Sequence, residues 1–144
     1  MRTLITNGTI VTADGSSAAD VLVDGETVAL IGSDLAASGV TADDTIDAAG
    51  RWVIPGGIDA HTHMDLPFMG TFSSDDFESG TLAGLHGGTT TIIDFAFQKQ
   101  GDSLANALNA WHEKADGKAV GDYAFHMVVT DFNEKSRAEI GPMV

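Results

Sequence analysis

From Pro55 onward the sequence alternates β-branched apolar runs with helix-like stretches, joined by glycines, and this alternation constrains the fold more than any other feature. Ile58–His63 reads as a strand approached through Pro55-Gly56-Gly57. A helix fits Asp75–His86: Ser74 or Asp75 can cap it, Phe77, Leu82 and Leu85 share a face, and Gly87-Gly88 stop it. Thr89–Phe97 is β-branched and apolar, as a buried parallel strand should be. The clearest helix is Ser103–Asp116, where Leu104, Leu108, Trp111 and Ala115 recur at helical spacing and Gly117 lies past the end. Tyr123–Thr130 is a third strand, and Glu134–Ile140 opens another helix. Strand, helix, strand, helix, strand in this order predicts parallel βαβ units.

Length then sets the scale. A (β/α)8 TIM barrel takes about 250 residues, or roughly 31 per unit. The segment after residue 54 supplies only about three such units, and the sequence stops at Gly141-Pro142-Met143-Val144 within what reads as a helix. The expectation is an α/β fold, the incomplete front portion of a larger barrel protein.

Residues 1–54 have a different grammar. Leu4–Thr6 and Thr9–Thr12 are β-rich runs separated by Asn7-Gly8, and Ala19–Val23 and Thr27–Ile31 flank Asp24-Gly25-Glu26. Asn-Gly and Asp-Gly tolerate positive φ, which a tight hairpin requires. A further strand is expected at Thr45–Ala48, before Gly50 and the apolar Trp52-Val53-Ile54. This is a small β layer.

Charge narrows the partners. Seven Lys and Arg against 21 Asp and Glu leave a net charge of −14, which argues against nucleic acid or an anionic membrane surface. With no cysteine, any metal must be held by histidines and carboxylates. The N-terminus has no apolar signal core and no later run suggests a membrane span, so the expected location is the cytoplasm.

The chemistry concentrates in His61-Thr62-His63. Side chains along a strand alternate with period two, so Asp59, His61 and His63 are expected on one face, with the imidazole roots roughly 6–7 Å apart. Neutral imidazoles so placed suit zinc and its transition-metal neighbours. At the C-terminal mouth of a barrel they would lie where such folds do their chemistry. On spacing alone, two unrelated polar residues capping a strand look the same.

The run Pro55-Gly56-Gly57-Ile58-Asp59-Ala60-His61-Thr62-His63 resembles the first barrel strand of the amidohydrolase superfamily. Three further stretches resemble the dihydropyrimidinase and D-hydantoinase family more specifically: Met64–Thr71, Ser74–Thr81 and Gly87-Gly88-Thr89-Thr90. The strand Phe125-His126-Met127 leading to Thr130-Asp131-Phe132-Asn133 fits the same family. Dihydroorotases and allantoinases usually carry an acidic or Asn residue before Glu-Pro-Gly where this chain has Asp65-Leu66-Pro67-Phe68.

The resemblance implies a β-sandwich segment over 1–54 and the first barrel units over 55–144. It implies two divalent metal ions, zinc or manganese, bridged by a carboxylated lysine from sequence beyond Val144, with the general-base aspartate also absent from this chain. His61 and His63 would ligate the more buried metal, and Leu66 and Phe68 would belong to a substrate-gating loop. The implied activity is hydrolysis of 5,6-dihydropyrimidines or hydantoins, small cyclic amides, to N-carbamoyl amino acids by a homotetramer. An allantoinase or a non-catalytic scaffold relative are the alternatives.

Other polar residues have simpler roles. His86 ends a helix, where a cation complements the dipole, and His112 flanks an apolar stripe. His126 is expected mid-strand and inward-facing. Asp59 and Asp94 are expected either to support the metal ligands through hydrogen bonds or to anchor the interior. Asp75, Asp76 and Glu78 suit a helix N-terminus. Lys99, Lys114, Lys118 and Lys135 fall in loops or on helices, and none is nominated as the bridging residue.

Overall fold

Local chemistry and long-range pairing part company early in the chain. In a computed structural model, which describes residues 1–143, the chain forms two compact units, one from Met1 to Pro55 and the other from Gly56 onward. The first contains β1 (Arg2–Thr6), β2 (Thr9–Thr12), β3 (Gly15–Ala18), β4 (Asp20–Asp24), β5 (Thr27–Gly32), β6 (Asp44–Asp47) and β7 (Trp52–Val53). These strands make two sheets, ordered β5-β4-β1-β6 and β3-β2-β7.

β1 and β2 therefore lie in different sheets, and Asn7-Gly8 is a corner rather than the expected hairpin. Asn7 adopts φ 61° there, and its amide and side chain donate to Asp20 and Asp47. Asp24-Gly25-Glu26 does join an antiparallel pair. Asp24 faces Thr27, so the two loop residues are Gly25 and Glu26, with Gly25 at φ 60° in the first central position, as a II′ connection needs. The one apolar residue of β3 is Ala18 and all four of its residues are exposed, which is why hydrophobic patterning gives no sign of it. Leu4, Leu22 and Leu35 form this unit's core.

The second unit has β8 (Gly57–Thr62), a short antiparallel hairpin of β9 (Pro67–Phe68) and β10 (Thr71–Phe72), α1 (Phe77–His86), β11 (Thr89–Phe97), α2 (Leu104–Ala115), β12 (Asp122–Val128) and α3 (Glu134–Met143). β8, β11 and β12 form one parallel sheet with β11 in the middle. Phe77, Ile92, Ala96, Trp111 and Ala115 form its core, drawn from α1, β11 and α2.

Two helix details differ from expectation. The N-cap of α1 is Asp76, not Ser74 or Asp75: its carboxylate accepts from the Ser79 amide at 2.8 Å while Ser79 Oγ accepts from the Asp76 amide at 3.2 Å. The buried face of α1 is Phe77, Gly80 and Thr81, whereas Leu82 and Leu85 are exposed. Gly80 and Thr81 beside Phe77 let this helix approach the sheet closely, so Leu82 and Leu85 point away. α2 starts at N-cap Ser103 and buries Leu104, Ala107, Trp111 and Ala115, close to the predicted stripe.

The strand at Gly57 is reached through a tight approach. A Cβ on Gly56 would fall 2.1 Å from Thr90 Oγ1, and the Gly57 amide donates to Gly88 O at 2.8 Å. The β9–β10 turn is Met69-Gly70, with φ 48° and 82°, the two positive values of a I′ connection. Among the described residues no helix is long and apolar enough to cross a membrane. Val144 lies outside the described residues.

Candidate metal centre

His61 lies one residue before the end of β8, and His63 one residue beyond it. Their ring centroids are 5.1 Å apart and nearly perpendicular. Both rings pack on Phe95 of β11, at 4.4 and 5.3 Å. The His126 ring on β12 approaches the same phenyl group at 5.0 Å, so three imidazoles surround one aromatic ring on one face of the sheet. His61, His63 and His126 are all exposed on that face.

Strict alternation does not extend back to Asp59. The pairing steps from Ile92↔Asp59 to Asp94↔Thr62, three residues on β8 against two on β11, so β8 bulges between Asp59 and Thr62. Asp59 instead accepts the His61 amide through Oδ1 at 3.2 Å. Asp94 lies on the opposite, helix-covered face and is fully buried. Its Oδ2 accepts the Thr62 hydroxyl at 3.0 Å and the Met64 amide at 2.7 Å. Its Oδ1 accepts the Phe95 amide at 2.7 Å and Trp111 Nε1 at 3.1 Å.

Beside His63 opens a mostly apolar cleft of about 760 Å³, lined among others by Leu66, Phe68, Phe72, Phe97 and Trp111. Leu66 is partly buried against the core, its amide donating to Ser73 Oγ at 2.8 Å, while Phe68 is exposed at the rim on β9. Phe95, Phe97 and Phe72 are the contributors that sequence reasoning passes over. Phe95 and Phe97 had a signal: they fall out of phase with the buried Ile92, Asp94 and Ala96 of the same strand.

The remaining polar residues are accounted for locally. His112 Nδ1 lies 2.9 Å from Asp116 Oδ1, and Tyr123 donates its hydroxyl to the same oxygen. Those bonds, from Tyr123 first and His112 second, hold the Asp116 pKa below its usual range, and Asp116 in turn raises that of Tyr123. His86 occupies the last turn of α1. Asp76 is held below its usual pKa by the Ser79 backbone bond, consistent with its capping role. Lys114 Nζ lies over the Trp111 ring and donates to Asp65 O at 2.7 Å. Lys118 Nζ reaches Glu113 O, Lys99 lies in the loop after β11, and Lys135 is on α3.

Two imidazoles on adjacent alternating positions, facing open space at the C-terminal end of a parallel strand, fit one side of a metal's coordination shell. Among the described residues no third His, Cys, Asp or Glu joins them into a fuller set.

Residues 52–138 match the family model of the amidohydrolase family, and the chain belongs to that family. Within it, the chain is similar to D-hydantoinases and dihydropyrimidinases. It is 50% identical to a D-hydantoinase of Streptomyces coelicolor over 99% of this chain and 31% of that protein. It is 48% identical to the dihydropyrimidinase of Rattus norvegicus over 96% of this chain and 27% of that protein. The crystal structure of dihydropyrimidinase from Brevibacillus agri superposes with a TM-score of 0.92 at 52% identity, covering 97% of this chain and 30% of that one. The chain thus spans about 30% of the length of the relatives it matches. The sheets and three helices of the described residues form part of an amidohydrolase fold.

Proposed function

We propose that this chain is the front portion of a metal-dependent hydrolase that opens the cyclic amide of 5,6-dihydropyrimidines or hydantoins, giving N-carbamoyl amino acids. The observation that carries this reading is the His61–His63 pair, 5.1 Å between centroids, at the C-terminal end of β8. The similarity to hydantoinases and dihydropyrimidinases along nearly the whole chain supports it. In this reading residues 1–54 contribute to a β-sandwich, and 55–144 supply the first three units of a (β/α)8 barrel whose remaining strands pair with the free edges of β8 and β12.

His61 and His63 would hold a divalent ion, zinc or manganese, with further ligands, a carboxylated lysine and the general-base aspartate coming from sequence outside this chain. When bound, such ions lower the pKa of water and polarise a carbonyl oxygen. This chain's own residues prepare the site. Phe95 packs against both imidazoles and limits their rotation. Leu66 and Phe68 present apolar surface beside His63, where they would contact the ring substituent and exclude water. The full protein is a cytoplasmic homotetramer in this reading.

The retained histidines disfavour a non-catalytic scaffold, and the Leu66–Phe68 segment disfavours an allantoinase. The test is turnover of dihydrouracil and hydantoin by the full-length protein, before and after chelation and after zinc or manganese is restored. Activity lost on chelation and regained with metal is expected. Turnover indifferent to chelation, or confined to allantoin, overturns the reading.

A further inference from the structure

We propose that Asp94 is a positioning residue for the metal pair, fixing the backbone on both sides of His63 from the opposite face of the sheet; the proposal rests on the metal-binding reading above. A fully buried carboxylate is costly unless its oxygens are satisfied. Among the described residues the ion pairs are Arg2–Asp24 and His112–Asp116, and neither involves Asp94. What stabilises it is four donors, two on each oxygen. Their placement is the point. Thr62 and Met64 bracket His63, and Thr62 also separates it from His61.

The sheet itself cannot hold this stretch. β8 bulges between Asp59 and Thr62 and ends at Thr62, so ladder pairing is irregular before His63 and absent after it. The bonds to the Thr62 hydroxyl and the Met64 amide replace that ladder. The other oxygen accepts the amide of Phe95, whose ring lies against both imidazoles, and Trp111 Nε1 ties the assembly to α2. One carboxylate therefore sets both the strand end that presents the ligands and the residue they pack on. Asparagine cannot substitute. Three of the four partners, the Met64 and Phe95 amides and Trp111 Nε1, can only donate, so in either orientation an amide nitrogen would face at least one of them with another donor.

The experiment compares Asp94→Asn, Thr62→Val and Trp111→Phe in the full-length protein, with His61→Ala alongside. Zinc affinity is measured by chelator competition, geometry by the visible spectrum of the cobalt-substituted protein, and stability by thermal unfolding. Asp94→Asn and Thr62→Val are expected to weaken zinc binding by about 10–100-fold and to shift the cobalt bands. Trp111→Phe, which removes a donor from the oxygen that does not hold Thr62 or Met64, should lower the unfolding temperature with zinc affinity unchanged. If Asp94→Asn does not fold, Thr62→Val decides. Thr62→Val and Trp111→Phe behaving alike, with lower stability and unaltered zinc affinity and spectrum, would make Asp94 a core anchor only and overturn the proposal. Full zinc retention in His61→Ala would instead remove the metal reading beneath it.

Discussion

Gly56→Ala deletes nothing and adds one methyl group, yet it should destabilise the unit that carries the histidines. The added Cβ would lie 2.1 Å from Thr90 Oγ1, 2.4 Å from its Cγ2 and 2.8 Å from its Cβ. The Gly56 φ is not positive, so alanine can adopt the backbone and the cost is steric. Gly56 and Thr90 are both exposed, so the clash is with this one neighbouring side chain, and overpacking of that kind costs about 1–3 kcal/mol. Restricting the unfolded chain returns about 0.4–1 kcal/mol. Rotating the Thr90 side chain cannot move its Cβ, which puts the clash in the upper half of that range and the net loss near ~2 kcal/mol. Thr90→Gly removes all three clashing atoms, at about 0.5–1 kcal/mol for a glycine in a strand. Denaturant unfolding of the four proteins of this cycle should show the double variant more stable than additivity allows, by at least about 1 kcal/mol. The reasoning fails if Gly56→Ala unfolds with the parent, or if the two substitutions simply add.

On the proposed function, Phe68→Ala in the full-length protein should change the ratio of kcat/KM for bulky and small hydantoins, by about 1–3 kcal/mol for each methylene of contact; an equal loss on all substrates would mean generic loop damage. The Asp116 bond raises the Tyr123 pKa, so its stabilisation is complete below the unfolded phenol pKa and is lost as pH rises through the raised folded value. Asp116 has a lowered pKa, so its contribution is present above the unfolded carboxylate pKa and is lost as pH falls through the folded one. Tyr123→Phe should therefore flatten the alkaline fall of the unfolding temperature, and profiles parallel to the parent would contradict this. The 144-residue chain by itself should bind zinc weakly in calorimetry and turn over neither dihydrouracil nor hydantoin, because the described residues offer no fuller ligand set than two histidines; turnover abolished by His61→Ala would refute that.

Legibility in the sequence followed the range of the interaction. β11 could be placed to the residue, because a β-branched run between Gly87-Gly88 and a polar loop admits little else. α2 was equally plain from its apolar stripe. The inward face of α1 was not, since periodicity weighs Leu82 and Leu85 while close packing selects Gly80 and Thr81. Asn7-Gly8 has the local chemistry of a turn, but whether its flanks pair with each other depends on β4, β6 and β7. The β9–β10 turn places a methionine at positive φ, a conformation its side chain does not favour, so no local signal announced it. The alternation of His61 and His63 was legible as a pair on one strand, and the structure brings their rings to 5.1 Å between centroids. Their packing on Phe95, and the bulge that separates them from Asp59, depend on the register of β8 against β11, which no single segment encodes.

The central claim is that His61 and His63 hold the metal. Its most direct test is metal content by elemental analysis of the purified full-length protein and its His61→Ala and His63→Ala variants. The account predicts fewer bound ions per subunit in both variants, because each substitution opens a site that already relies on two imidazoles from one strand. Unchanged stoichiometry in both, with activity retained, would contradict it.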